Sequence, residues 1–205
     1  MTLTTSSTRN AVTDAPLLSP LAERWSPRGY NRTAVIDETT LTTVLEAARW
    51  APSASNMQPA RFIIARRGTA SFTTITDALM GFNKAWADTA SVLIANVTQL
   101  NLPAKPDAEP GAETAENPWS RYDLGQAVAH LSIQAQHEGL HTHQMGGFDG
   151  AAIAAAFGLA ADQTVVTVTA LGVLGELDEL TPELRERETA PRVRKPLSEL
   201  LLVND

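Results

Sequence analysis

Residues 51–62 read Ala51-Pro52-Ser53-Ala54-Ser55-Asn56-Met57-Gln58-Pro59-Ala60-Arg61-Phe62, small and polar side chains set between two apolar segments. Pro52 and Pro59 fix φ and remove two amide donors, which stiffens the run. Ser53, Ser55, Asn56 and Gln58 offer hydroxyls, amides and exposed backbone that can read a planar heteroaromatic ring along its edge. Pro, Ser and Asn also build ordinary surface turns for conformational reasons, and that reading stands beside the first. Two basic foci accompany the loop: Arg24, Arg28 and Arg32 near the start, and Arg185, Arg187, Arg192, Arg194 and Lys195 near the end. Guanidinium forks match phosphate oxygens, so these foci suit a small anionic ligand; solvated turns, or ion pairs of Arg24 and Arg28 with Glu23 or Asp37, are the alternative. Gly146 and Gly147 form a third element, since only small residues let backbone approach a ring closely.

Other chemistries find little support. The formal net charge of -7 disfavours nucleic acid and anionic membranes, which require a basic face. With no cysteine there is no disulfide framework or thiolate nucleophile, so redox chemistry would need a cofactor. His137, His141 and His143 lie close together, but no HExxH accompanies them, and His137 suits the negative end of a helix; no metal is expected. No Ser-His-Asp order stands out. Gly146-Gly147-Phe148-Asp149-Gly150 lacks the GxGxxG order of a dinucleotide loop. Residues 1–15 are Thr- and Ser-rich without the pattern of a secretory signal, and the apolar stretch Ala151 to Ala161 is too short to span a bilayer; a soluble, cytoplasmic protein is expected.

The elements that must carry these residues follow from periodicity and punctuation. A chain of 205 residues fits one domain with a single core. We expect a flexible tail over 1–15 and one domain over 16–205. A helix begins near Leu17. A second is capped by Asp37, carries Leu41, Val44, Leu45 and Ala48 at helical spacing, and stops at Pro52. Phe62 to Ala65 reads as a short strand, Thr69 to Met80 as a helix with another short one after Asn83, and Ser91 to Val97 as a buried strand. Between 98 and 118, Pro103, Pro106, Pro110 and Pro118 among Ala, Asp and Glu predict a mobile excursion. Trp119 or Ser120 opens the longest helix, with Leu124, Val128, Leu131 and Ala135 in a stripe and Gly139 as its stop. Asp149 caps a short Ala-rich helix ending at Gly158. Thr164 to Leu174 is a central strand, and Leu200 to Val203 an edge strand with no obvious partner. Strands and helices without a regular βαβ repeat argue α+β, helices packed around a mixed central sheet.

The order and spacing of Leu21-Ala22-Glu23-Arg24-Trp25-Ser26-Pro27-Arg28-Gly29-Tyr30, the Pro52–Pro59 loop and Met145-Gly146-Gly147-Phe148-Asp149 resemble the nitroreductase family of FMN-dependent oxidoreductases, from about Leu17 to about Pro196. The resemblance implies an intertwined homodimer with exchanged C-terminal arms and FMN at the interface; the leucine-rich tail then reads as such an arm. Arg24, Ser26 and Arg28 resemble the opening motif that grips the FMN phosphate and ribityl chain, with Trp25 where a second basic residue is common. Pro52, Ser53, Ala54, Asn56 and Gln58 match the segment that meets the flavin ring from the other subunit, with Ala60 where Trp is usual. Asn83 resembles the asparagine on the pyrimidine edge, although a helix cap would use the same residue. Met145, Gly146 and Gly147 resemble the turn whose backbone amide points at flavin N5, and Arg192 and Arg194 the basic pair closing over the phosphate. Trp119 and Tyr122 lie where substrate-gating residues stand. The implied activity is hydride transfer from NADH or NADPH through flavin N5 to a small acceptor, nitroaromatic, quinone or enal, by a ping-pong mechanism. A flavin-binding storage or sensing protein without turnover is the alternative.

Overall fold

Among the described residues four stretches form a paired sheet: β1 (Ala60–Arg66), β2 (Val92–Gln99), β3 (His141–Met145) and β4 (Gln163–Gly172), in the order β1-β2-β4-β3. The computed structural model describes residues 9–104, 107, 109 and 114–205. Every neighbouring pair is antiparallel, which corrects the expectation of a mixed sheet among the described residues. The reason lies in the connections. β1 ends at Arg66 with β2 starting opposite it at Val92, and β2 ends at Gln99 with β4 starting opposite it at Gln163. Parallel pairing would require each connection to cross the sheet from end to end.

Among the described residues six helices cover the two faces: α1 (Ser19–Glu23), α2 (Glu38–Arg49), α3 (Ala70–Ala78), α4 (Ser120–His137), α5 (Gly150–Phe157) and α6 (Pro182–Thr189). Their limits follow from side chains near in sequence. Asp37 accepts the Thr40 amide at 2.8 Å, Thr69 that of Phe72 at 3.3 Å, Asp149 that of Ala152 at 2.9 Å and Thr181 that of Leu184 at 3.3 Å. Each such cap stabilises its helix by about 1 kcal/mol. Gly158 ends α5 in the left-handed region, φ 63°, where a Cβ would be strained.

β2 is buried on both faces, which explains its nearly continuous apolar run. Val92 and Ile94 pack with Leu41, Val44, Ala127 and Leu131 of α2 and α4. Leu93 and Ala95 face the other way, onto Phe72, Ile75, Trp86, Ile153 and Leu184. Full burial of each large aliphatic among them is worth roughly 1.5–3 kcal/mol. No helix among the described residues is long and apolar enough to cross a membrane.

Three segments differ from their sequence reading. β3 and α6 go unforeseen, β3 because His141-Thr142-His143-Gln144-Met145 is polar and α6 because its charged sequence carries no apolar stripe. Leu200 to Val203 is not a strand: a short 3-10 turn at Leu197–Glu199 precedes it, and Leu200, Leu202 and Val203 are exposed, since no strand among the described residues pairs with them. Around the excursion, Leu102 donates to the Ala115 carbonyl at 2.8 Å and Asn117 to that of Leu100 at 2.7 Å, so the base is paired. Mobility is expected of 98–118 as a whole, and of these 105, 106, 108 and 110–113 lie outside the described residues.

Candidate functional site

After α1 the backbone straightens, and residues 24–28 are held at three points. The buried Trp25 ring lies 4.0 Å beneath the Arg9 guanidinium and meets His141 edge-on at 6.2 Å. The Pro27 carbonyl accepts from His143 Nδ1 at 2.8 Å. The Arg28 backbone N–H donates to Glu188 Oε1 at 2.7 Å. Arg24 reaches Ser26 Oγ at 3.4 Å. From the other end of the chain, Arg192 donates to the carbonyls of Arg9 and Ala22, the latter at 2.8 Å, beside Arg194.

Arginines dominate the electrostatics of this corner, with the buried Glu188 carboxyl beside Arg28. Burial lowers the Arg24 pKa from its ordinary value, and the charge of Arg194 lowers it further. Burial likewise lowers that of Arg192, followed by the charges of Arg24, Arg194 and Arg9. Among the described residues none of Arg24, Arg28, Arg192 and Arg194 forms a salt bridge, and Asp37 is occupied capping α2. The histidines add no charge at neutral pH. Burial pushes His141 down to about 4, helped by Arg24, and burial holds His143 at about 4, with Arg28 and Arg24 assisting and the hydrogen bond to Pro27 opposing. Like charges gathered in a partly buried corner repel unless an anion joins them.

Asn83 and Gly147 belong to the same region. Asn83 Nδ2 donates to the Gly147 carbonyl at 3.1 Å, and the Met80 amide donates to that same oxygen at 2.9 Å. A Cβ on Gly147 would stand 3.0 Å from Asn83 Nδ2, so the position is tight. A Cβ on Gly146 would meet nothing within 4 Å, while Met145 is buried in the core. Trp86, three residues beyond Asn83, packs at a tilt against His143, ring centroids 4.5 Å apart, and His143 holds Pro27. A continuous set of contacts therefore runs from Gly147 through residues 83–86 to the arginines.

The proline-flanked loop lies elsewhere. It leads from α2 into β1, whereas the arginines border β3, and β2 and β4 stand between, three strand spacings or roughly 14 Å. Ser53 Oγ accepts the Gln58 amide at 3.0 Å, and the buried Asp123 of α4 accepts that of Ala54 at 3.1 Å. Ser55, Asn56 and Gln58 adopt φ of 49°, 56° and 49°, unusual for residues with a Cβ. Pro52, Ser53 and Gln58 border a cavity of about 370 Å³ with Leu45, Ala60 and Phe62. Trp119 and Tyr122 are exposed at the start of α4, edge to face at 6.3 Å. Within one chain, then, Arg24, Ser26, Arg28, Asn83, Gly146, Gly147, Arg192 and Arg194 gather around β3, and Pro52 to Gln58 do not join them.

Five neighbours of these residues escape sequence reasoning. Arg9 sits in a polar N-terminal stretch, Glu188 in a helix of mixed charge, and Asp123 reads as an ordinary first-turn acid. His141 and His143, two apart on a strand and so on one face, carry the one usable signal, once β3 is recognised. His141 Nδ1 is buried without a partner. Among the described residues no cluster of three or more His, Asp or Glu is placed to hold a metal.

An α+β protein with an antiparallel sheet flanked by helices, and a basic corner against its β3 edge, defines the class. The sequence matches the nitroreductase family over residues 21–81 and 71–173, and the chain belongs to that family. An uncharacterized 15.4 kDa protein in the ask 5' region of Mycolicibacterium smegmatis is 32% identical over 148 residues, 68% of this chain and 92% of that protein. The crystal structure of an oxidoreductase containing FMN is 31% identical, with TM-score 0.85, covering 98% of this chain and 96% of its own. A protein from Desulfovibrio desulfuricans, solved in complex with FMN, shares the fold at 22% identity and TM-score 0.72, covering 94% of this chain and 99% of its own.

Proposed function

We propose that this protein is an FMN-dependent oxidoreductase that takes reducing equivalents from NADH or NADPH and delivers them to a small organic acceptor of the nitroaromatic, quinone or enal class. The observation that carries the reading is the convergence of Arg24, Arg192 and Arg194, with Arg28 on the same segment as Arg24, none of them salt-bridged among the described residues, a donor set suited to a terminal phosphate. Arg24 and Arg192, partly buried and repelled by each other or by the exposed Arg194, fit a dianion better than they fit their neighbours. Bound FMN would supply the hydride chemistry at N5, in a ping-pong sequence through one pocket. Arg24, Ser26, Arg28, Arg192 and Arg194 bind the phosphate and ribityl chain. Asn83 and the Gly146-Gly147 backbone bring donors to the ring without a side chain in the way.

The remaining wall comes from a second copy. Pro52, Ser53, Ala54, Asn56 and Gln58 stand across the sheet from their own chain's arginines, and a homodimer brings them to the partner's cofactor. Trp119 and Tyr122, exposed beside the excursion, gate acceptors. Heat release of the chromophore from purified protein, followed by chromatography, tests the cofactor: FMN is expected, and FAD or no flavin after reconstitution refutes the reading. Anaerobic NADH or NADPH should bleach the bound flavin; bound FMN that neither bleaches indicates storage or sensing instead.

A further inference from the structure

Helix α6 reads Pro182-Glu183-Leu184-Arg185-Glu186-Arg187-Glu188-Thr189, and two of its three glutamates are exposed. Glu188 is the exception, 2% exposed. It falls four residues after Leu184, so the two share the inward face: Leu184 enters the core and Glu188 arrives at residues 24–28. A carboxyl buried so fully is costly unless hydrogen-bonded, and its partner here is the Arg28 backbone N–H at 2.7 Å. The next residues hold the chain ahead of that segment: the Ala190 carbonyl accepts from Arg9 Nη2 at 3.2 Å, and Arg192 donates to the Ala22 carbonyl of α1 at 2.8 Å.

We propose that Glu188 is a positioning residue for the anion site: its buried carboxyl, delivered by α6, accepts the Arg28 backbone N–H and so fixes the segment on which Arg24, Ser26 and Arg28 stand. The inference rests on the reading of that corner as an FMN phosphate site. Its protonation then couples to ligand binding. The charged and titratable groups facing Glu188 are Arg28 and Arg9, with the Tyr30 phenol, which donates to the Ala170 carbonyl, alongside. The guanidiniums stay charged, and burial raises the phenol well above its ordinary value, while His143 nearby stays neutral. Burial lifts Glu188 itself to about 7, against the hydrogen bond and the two arginines. An incoming phosphate dianion therefore favours its protonated form, and FMN affinity falls as pH rises past 7.

The test is titration of FMN-stripped, full-length protein with FMN at pH 7.0 and 8.5, a range in which a phosphate monoester is already mostly dianionic. Glu188→Gln keeps an acceptor for the Arg28 amide and should bind within about threefold of wild type at pH 7.0. Glu188→Leu should bind at least about tenfold more weakly. Wild-type affinity should fall at least about threefold over that interval and that of Glu188→Gln should stay level. Wild-type affinity in Glu188→Leu, or a Glu188→Gln profile that follows the wild type, overturns the inference. Should Glu188→Leu fail to fold, the two pH profiles decide alone. A wild-type chain that binds no FMN refutes the cofactor reading itself, and the inference with it, so the two failures are told apart by the wild type.

Discussion

Arg24 is held in a corner where its neighbours repel it, and two opposite effects follow from its removal. Arg24→Ala deletes charge-assisted donors to an anion and should weaken FMN binding by roughly 1.5–3 kcal/mol, read by titration. The same change relieves repulsion from Arg192 and Arg194, so the flavin-free protein should melt no lower than wild type. A lower melting temperature with unchanged affinity would make Arg24 structural. Titratable neighbours impose a pH dependence with two signs. Burial holds His141 and His143 at about 4, below an unfolded value near 6.5, so the stability they allow is complete above pH 6.5 and is lost as pH falls towards 4. Glu188, raised to about 7, keeps its proton where an unfolded glutamate near 4.3 has lost it; its contribution is present at low pH and lost as pH rises from 4.3 to 7. Glu188→Gln should therefore exceed wild type in urea stability by roughly 2–4 kcal/mol at pH 8, the gap closing to about 1 kcal/mol at pH 5. A gap that does not narrow on acidification would contradict this.

At the scale of elements, the proline-flanked loop depends on α4 as well as on its own turns. Asp123 is buried and accepts the Ala54 amide, while Ser53 closes the loop onto Gln58. Asp123→Ala leaves that amide without its charged acceptor and should cost about 1–3 kcal/mol of stability. Because the loop is expected to face a partner's cofactor, FMN dissociation should also accelerate, as stopped-flow fluorescence would record. Loss of stability without faster dissociation would confine the loop to a structural role.

For the whole molecule, the proposed site would be completed by a second copy of the chain. The loop and the arginines occupy opposite edges of the sheet, and Leu200, Leu202 and Val203 lie exposed beyond α6. Apolar side chains displayed on a terminal arm call for a surface to cover. Light scattering should find a dimer, and truncation after Pro196 should weaken the dimer and release FMN together. A full-length monomer that retains FMN would defeat the shared site. The excursion carries a further expectation: Trp119→Ala or Tyr122→Ala should change turnover of quinone and nitroaromatic acceptors unequally, with FMN affinity altered less than about threefold, a difference under 1 kcal/mol. Equal effects on every acceptor would remove these residues from the gate.

Local patterns were legible in the sequence because their causes are local. Asp37, Thr69 and Asp149 cap helices through amides three residues away, Gly158 ends one by its own φ, and the nearly continuous apolar run along Val92–Gln99 marks a strand covered on both sides. The arginine and glycine motifs likewise carried the family in their order and spacing. What the tertiary structure decided are the distances between segments far apart in the chain. It brought Arg9, Arg24 and Arg192 together across about 170–180 residues, buried Glu188 but not Glu183 or Glu186, and made a strand of the polar His141–Met145 by pairing it with β4. It also set the Pro52–Gln58 loop across the sheet from the arginines it accompanies in sequence. Neither periodicity nor composition encodes such relations, since burial and strand pairing depend on which distant surface arrives, and hydrogen bonding and desolvation are settled only once it has.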